Sequence, residues 1–146
     1  MILDERLEIA DALTCVANIG NAILGDVIDL GATPTLKDIG NGEPLYLVIQ
    51  VSTAVVGSSS TVQWQLSSDS TANLATSKTV HIDTGAIAEA TLVAGYTIIQ
   101  ALPIAALYER YLGIWQTVAT GNLSAGNLNI FLTQHPAKYT IYPDAL

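Results

Sequence analysis

Hydrophobic and polar positions alternate along much of the chain, most cleanly at Thr61–Ser67, TVQWQLS. Val62, Trp64 and Leu66 share one face and Gln63, Gln65 and Ser67 the other, the two-residue period of a half-buried strand. Just upstream lies the most hydrophobic run, GNGEPLYLVIQV at 40–51. Asn41-Gly42 accepts positive φ at low cost, so the chain can turn there, and Pro44 sets an extended lead-in. Leu45–Val51 is predicted as a strand. Leu45, Leu47, Ile49 and Val51 make a wholly apolar face, while Tyr46, Val48 and Gln50 make a mixed one. That pattern suits an inner strand of a sheet packed on a second sheet.

The other segments read as follows. Ile2–Ala12 fits helical and strand spacing alike and is taken as an extended N-terminal arm or strand. Residues 18–25, NIGNAILG, are broken by Gly20 and Gly25 and predict a loop, with Asp26–Gly31 a short strand after it. Gly57–Ser60 predicts a flexible turn and Ser68–Ser77 a polar loop. Lys78–Asp83 is strand-like, with Val80 and Ile82 on one face. Thr84–Gly95 reads as loop and short turn, and Tyr96–Leu102 as a strand stopped by Pro103. Ala105–Glu109 predicts one helical turn. Arg110–Val118 alternates Leu112, Ile114 and Val118 against Tyr111, Trp115 and Thr117. Turns at Gly121-Asn122 and Ala125-Gly126 then lead to a strand whose Leu128, Ile130 and Leu132 share a face. Residues 134–146, with Pro136 and Pro143, predict an irregular tail. About eight short strands with frequent turns and no long helical period predict an all-β, antiparallel sandwich or barrel. No repeat or composition break divides the chain, so residues 1–146 are expected to form one domain.

Composition sharpens this picture. At 146 residues the chain is long enough to bury roughly two-thirds of its unfolded surface. Half of it is hydrophobic and only 12% is charged, which leaves uncharged surface outside and favours packing against a partner. The net charge of −8 is unevenly placed. Residues 1–43 hold eight acids against Arg6 and Lys37, a net −6. Such a balance argues against binding nucleic acid, which needs basic side chains at phosphates, and against docking on an anionic membrane. Cys15 is the only cysteine, so no internal disulfide is expected, and it reads as a small buried hydrophobe. The N-terminus lacks the pattern of a secretory signal. Residues 111–137 are uncharged, but polar residues interrupt them too often for a lipid-spanning helix. A protein made in the cytoplasm is expected.

Candidate chemistry is sparse. His81 and Asp83, two apart on a predicted strand, would share a face and offer two metal ligands, half of what a structural site needs. Ser58–Ser60 lacks the context of a nucleophile elbow, and no phosphate-binding or dinucleotide-binding glycine motif is present. Asn122-Leu123-Ser124 matches a glycosylation sequon but reads as a turn. Glu43 and Glu109 would serve as a catalytic pair only if the fold brought them together. Trp64 reads as core; Trp115, with Tyr108 and Tyr111 near it, reads equally as core or as a stacking platform for sugar rings. These features give no catalytic, cofactor-binding or metal-binding residues, and neither enzyme activity nor a cofactor is expected.

Several phrases carry a resemblance. ILDERLEIAD (2–11), VIDLG (27–31), GNGEPLYLVIQV (40–51), TGAIA (84–88), LVAG (92–95), YERYLGI (108–114) and LSAGNLNIFLT (123–133) occur in this order. In them the chain resembles the capsid cement, or decoration, proteins of short-tailed bacteriophages. GNGEPLYLV and ERYLG are the most specific pieces, and the tail after Gln134 shows no family pattern. The resemblance implies a jelly-roll sandwich, a homodimer on the outer surface of the virion's capsid, the major capsid protein as partner, and no catalytic residues. It transfers no contact residue to a position of this chain. A carbohydrate-binding β-sandwich, as in a phage fibre or surface protein, is the main alternative. A cupin-type enzyme, which needs several metal-binding histidines and carboxylates, fits two histidines poorly.

Overall fold

The structure is a computed structural model that describes residues 5–34, 37–39, 42–104 and 106–136. After a 3-10 turn at Glu5–Leu7 come strands β1 (Glu8–Thr14), β2 (Gly20–Asp29), β3 (Lys37–Asp38), β4 (Tyr46–Gly57), β5 (Thr61–Asp69) and β6 (Thr79–Asp83). Then follow β7 (Ile87–Ala88), a second 3-10 turn at Glu89–Thr91, β8 (Thr97–Ala101), β9 (Leu107–Tyr108), β10 (Tyr111–Ala119) and β11 (Leu123–Thr133). The fold is all-β and single-domain, two antiparallel sheets forming a sandwich.

One sheet has the order β1-β11-β4-β8. The other has the order β2-β10-β5-β6, with β7 added beside β5, and β3 and β9 pair separately. Among the eight longer strands, every connection except β5 to β6 crosses from one sheet to the other. That is the winding of a jelly roll. The interior follows from the alternation. Val62, Trp64 and Leu66 of β5 and Leu112, Ile114 and Val118 of β10 face Leu47, Ile49 and Val51 of β4 and Leu128, Ile130 and Leu132 of β11. The expected inner strand is β4, held between β11 and β8.

Four expectations are corrected. The predicted loop at 18–25 lies mostly in β2, which runs unbroken from Gly20. Gly20, at φ +141°, opens the strand, and Gly25, at φ +77°, lets it bulge instead of ending it. Ala125-Gly126 is not a turn but lies inside β11, at register shifts against β4. Gly126 has φ +134°, and a Cβ there would stand 2.8 Å from the Cys15 sulfur, so the absent side chain makes room for Cys15. Leu107–Tyr108 forms β9, paired with β3, where a helical turn is expected. Lastly, a register shift in the β5–β6 ladder parts Val80 from Ile82. Ile82 is buried and Val80 is 42% exposed.

The expected N-terminal strand is β1 from Glu8, and residues 1–4 lie outside the described ones. Most of the 134–146 tail, from residue 137 on, also lies outside them, as does Asn41 of the opening turn.

Candidate functional site

The same register shift separates the only metal-ligand pair that the sequence suggests. His81 Nε2 lies 2.7 Å from Ser68 Oγ, its ring packs 4.1 Å from the ring of Tyr108, and burial lowers its pKa. Asp83 instead accepts hydrogen bonds from Gln63 Nε2 at 2.7 and 2.8 Å and from Gln65 Nε2 at 2.8 Å. The two side chains do not converge. Among the described residues no cluster of three or more His, Cys, Asp or Glu is placed to hold a metal ion.

Most of the other candidates are also engaged structurally. Cys15 is fully buried, donates to Gly126 O, and burial pushes its thiol up to about 11. The Ser58–Ser60 turn is tied down rather than flexible. The backbone N–H groups of Ser59 and Ser60 donate to the two carboxylate oxygens of Glu89, and Ser60 Oγ donates to Asn122 O. Asn122 itself accepts from the Ile19 N–H at 2.9 Å, consistent with a turn role for the sequon. Glu109 accepts from Ser77 Oγ, and Glu43 is exposed ahead of β4.

The aromatic residues do not assemble into one platform. Trp64 is core: its indole N–H donates to Gln116 Oε1 at 3.0 Å, and Gln116 Nε2 donates onward to Cys15 O. Tyr108 is fully buried. Trp115 and Tyr111 do face outward from β10, half-buried, but a cation lies over each ring. Lys78 Nζ stands 4.4 Å from the Trp115 centroid and Arg110 Cζ 4.8 Å from that of Tyr111. A sugar ring would have to displace Lys78, which also donates to Gln65 Oε1.

Asp69 is a polar centre that the sequence did not single out. It is fully buried at the end of β5 and accepts from the backbone N–H groups of Thr71, Thr76 and Ser77. Hydroxyls of Ser70, Thr71 and Ser77 add to these. Burial alone would raise its pKa, but the bonds from Ser77, Thr71 and Thr76 outweigh it and bring it to about 2. The loop so held places Leu74, itself fully buried, over Gly113 of β10. The short polar stretch after an Asp was the available signal. Because the folded pKa is depressed, this stabilisation is complete above the ordinary pKa of 3.8 and is lost as pH falls toward 2. Asp69→Asn is expected to cost about 1–3 kcal/mol at neutral pH and to flatten the fall in stability between pH 4 and 2. Urea unfolding of both proteins across that range checks it. An equally steep fall in the variant would contradict the assignment.

What remains is surface, and its charge is sorted by position. β1 and β2, adjoining edges of the two sheets, carry Glu8, Asp11, Asp26 and Asp29. Arg6, Glu8, Asp26, Val27, Ile28 and Asp29 line an open groove there. Asp29 is held by a bidentate bond from Arg110, at 2.9 and 2.7 Å, and by the Gly31 N–H, which together lower it to about 2. At the opposite edge of its sheet, β8 is uncharged.

A family model named Bbp16 matches residues 10–132, from within β1 to the penultimate residue of β11. The chain belongs to the Bbp16 family. The family is phage-associated, and the match takes in β2 to β10 whole and most of β1 and β11 of the Bbp16 sandwich. No curated protein matches the chain. The Bbp16 model stops short of the tail after Gln134, where the sequence also shows no family pattern.

Proposed function

We propose that the chain is a cement protein: it binds the outer surface of an assembled bacteriophage shell, as a homodimer, and stabilises that shell without chemistry. The observation that carries the reading is membership of a phage-associated family across nearly the whole sandwich. The surface supports it. Most of the polar groups that the sequence offers for catalysis are spent on internal bonds, and four acids stand together on the β1–β2 side, with Arg6 and Arg110 beside them. An acidic edge is steered toward basic patches on a partner, here the major capsid protein, and that attraction weakens with salt.

The physical basis is linkage. A ligand that binds only the intact shell raises the free energy needed to open it. Each contact need be no larger than a standard interface of roughly 1,600 Å². A dimer gripping two sites gains avidity without new contacts. The protein is made in the host cytoplasm and ends on the virion's capsid surface. Neither nucleic acid nor membrane takes part.

The test mixes purified protein with undecorated mature shells of its own phage, pellets them, and follows the melting temperature of the shells. Saturable co-sedimentation, a raised melting temperature and weaker binding at higher ionic strength are expected. Failure to pellet, or binding that leaves the melting temperature unchanged, overturns the reading.

A further inference from the structure

We propose that two copies of the chain join edge to edge through β8, antiparallel about a two-fold axis at Ile99, so that the β1-β11-β4-β8 sheets run into one another. The inference deepens the homodimer of the preceding reading and rests on it.

Among the longer strands the two sheets have four edges, and three of them carry acids: Glu8 and Asp11 on β1, Asp26 and Asp29 on β2, and Asp83 on β6, whose side of β5 the two-residue β7 shares, running straight into Glu89. β8, TIIQA, carries no charge, and no charged residue stands between Glu89 and Glu109. In a chain of net charge −8, this is the edge along which two copies meet with least like-charge repulsion. Among the described residues its backbone is also open on one side. β4 occupies one side, in unbroken register from Thr97 to Ala101. Among the described residues no backbone bond reaches β8 from any other strand.

Natural edge strands are guarded by lysine, proline, bulges or inward charges. β8 has none of these along its length, and Pro103 comes only after the strand has ended. Ile99, at its centre, is 47% exposed. Val93, Ile104 and Leu107 flank the strand in sequence and are exposed at 55%, 72% and 56%. A five-residue strand pair alone falls short of the roughly 1,600 Å² of a standard interface, and these flanking side chains are the apolar area available to extend it. Residues directly opposite in an antiparallel ladder point to the same face, so a two-fold axis must pass through a residue. Centring it on Ile99 pairs all five residues: Thr97 with Ala101, Ile98 with Gln100, and Ile99 with its own copy.

Sedimentation equilibrium of the wild type, Ile99→Lys and Val16→Lys tests this, Val16 being exposed just after β1. The wild type and Val16→Lys are expected to dimerise alike, and Ile99→Lys to weaken dimerisation by about ten-fold or more. In parallel, Ile99→Cys is expected to yield a disulfide-linked dimer under mild oxidation, whereas Val16→Cys and the wild type, whose Cys15 is buried, do not. This second arm decides the matter if Ile99→Lys unfolds. A wild-type dimer that survives Ile99→Lys, with no cross-link through Ile99→Cys, overturns the β8 seam and leaves the dimer standing. A wild type that is monomeric at about 100 μM overturns the dimer itself. Loss of shell co-sedimentation by Ile99→Lys in that case assigns the edge to a strand of a shell protein instead. Shell binding is read separately, so the cement reading stands or falls on its own.

Discussion

Trp64→Ala is expected to destabilise the fold by about 3–5 kcal/mol, the range for removing a large buried aromatic, and to lower the melting temperature by roughly 10 °C or more. Trp64 is 1% exposed, at the centre of β5, which is paired to β10 on one side and to β6 and β7 on the other. Its ring fills the space between the sheets, so truncation leaves a cavity that strands fixed by ladders on both sides close poorly. A second cost comes from polarity. The indole N–H is a donor to Gln116 Oε1, and Gln116 is 3% exposed. Trp64→Phe keeps most of the volume but orphans that oxygen, and it is expected to cost about 1–3 kcal/mol. Denaturant titration of both variants separates the two contributions. A Trp64→Ala protein within 1 kcal/mol of the wild type would remove Trp64 from the core.

Why this residue was legible in the sequence, and others were not, has a physical reason. Alternation reports which face of a strand is buried, so Val62-Trp64-Leu66, Leu47-Ile49-Val51 and Leu128-Ile130-Leu132 declared themselves. The all-β class followed from them. Alternation fails at bulges, because one extra residue moves the following side chains to the other face. That is why His81 and Asp83 part company, and why Val80 does not share a face with Ile82. Glycine is ambiguous in the same way. It can end a strand or bend one, and the choice at Gly25 and Gly126 depends on Ile9 and Cys15, distant in sequence. Glu89 was missed for a related reason: it pins the Ser59 turn from 30 residues away, and nothing local marks it. The sequence offered no clue to which edge of the sandwich would be open, since the strand order is a property of the whole winding. The absence of charge between Glu89 and Glu109 was visible, but only the placement of β8 at an edge gives it meaning.

Gly25→Ala is expected to be as damaging as many core truncations, although it adds a single carbon. Gly25 sits where β2 bulges: Leu24 pairs with Ile114 and Ile28 with Leu112, so Gly25, Asp26 and Val27 stand against Gly113 alone. Its φ of +77° lies in the left-handed region, which costs a residue with a Cβ about 1–2 kcal/mol. Beyond that, the added Cβ would fall on the carbonyl oxygen of Ile9, a fully buried residue of β1. This obstacle is backbone, not the end of a flexible side chain, so β1 and β2 must separate where the two sheets adjoin. Forcing such a shift typically costs a further 1–3 kcal/mol or so, giving a loss of about 2–5 kcal/mol in all. Gly20→Ala supplies the control. Gly20 also has positive φ, +141°, but a Cβ there meets nothing within 4 Å. It is expected to lose only the backbone contribution, about 1–2 kcal/mol. Urea unfolding of the two variants beside the wild type measures the difference. Equal losses would mean that the contact between Ile9 and Gly25 does not constrain the fold, and that β1 can move away from β2 without penalty.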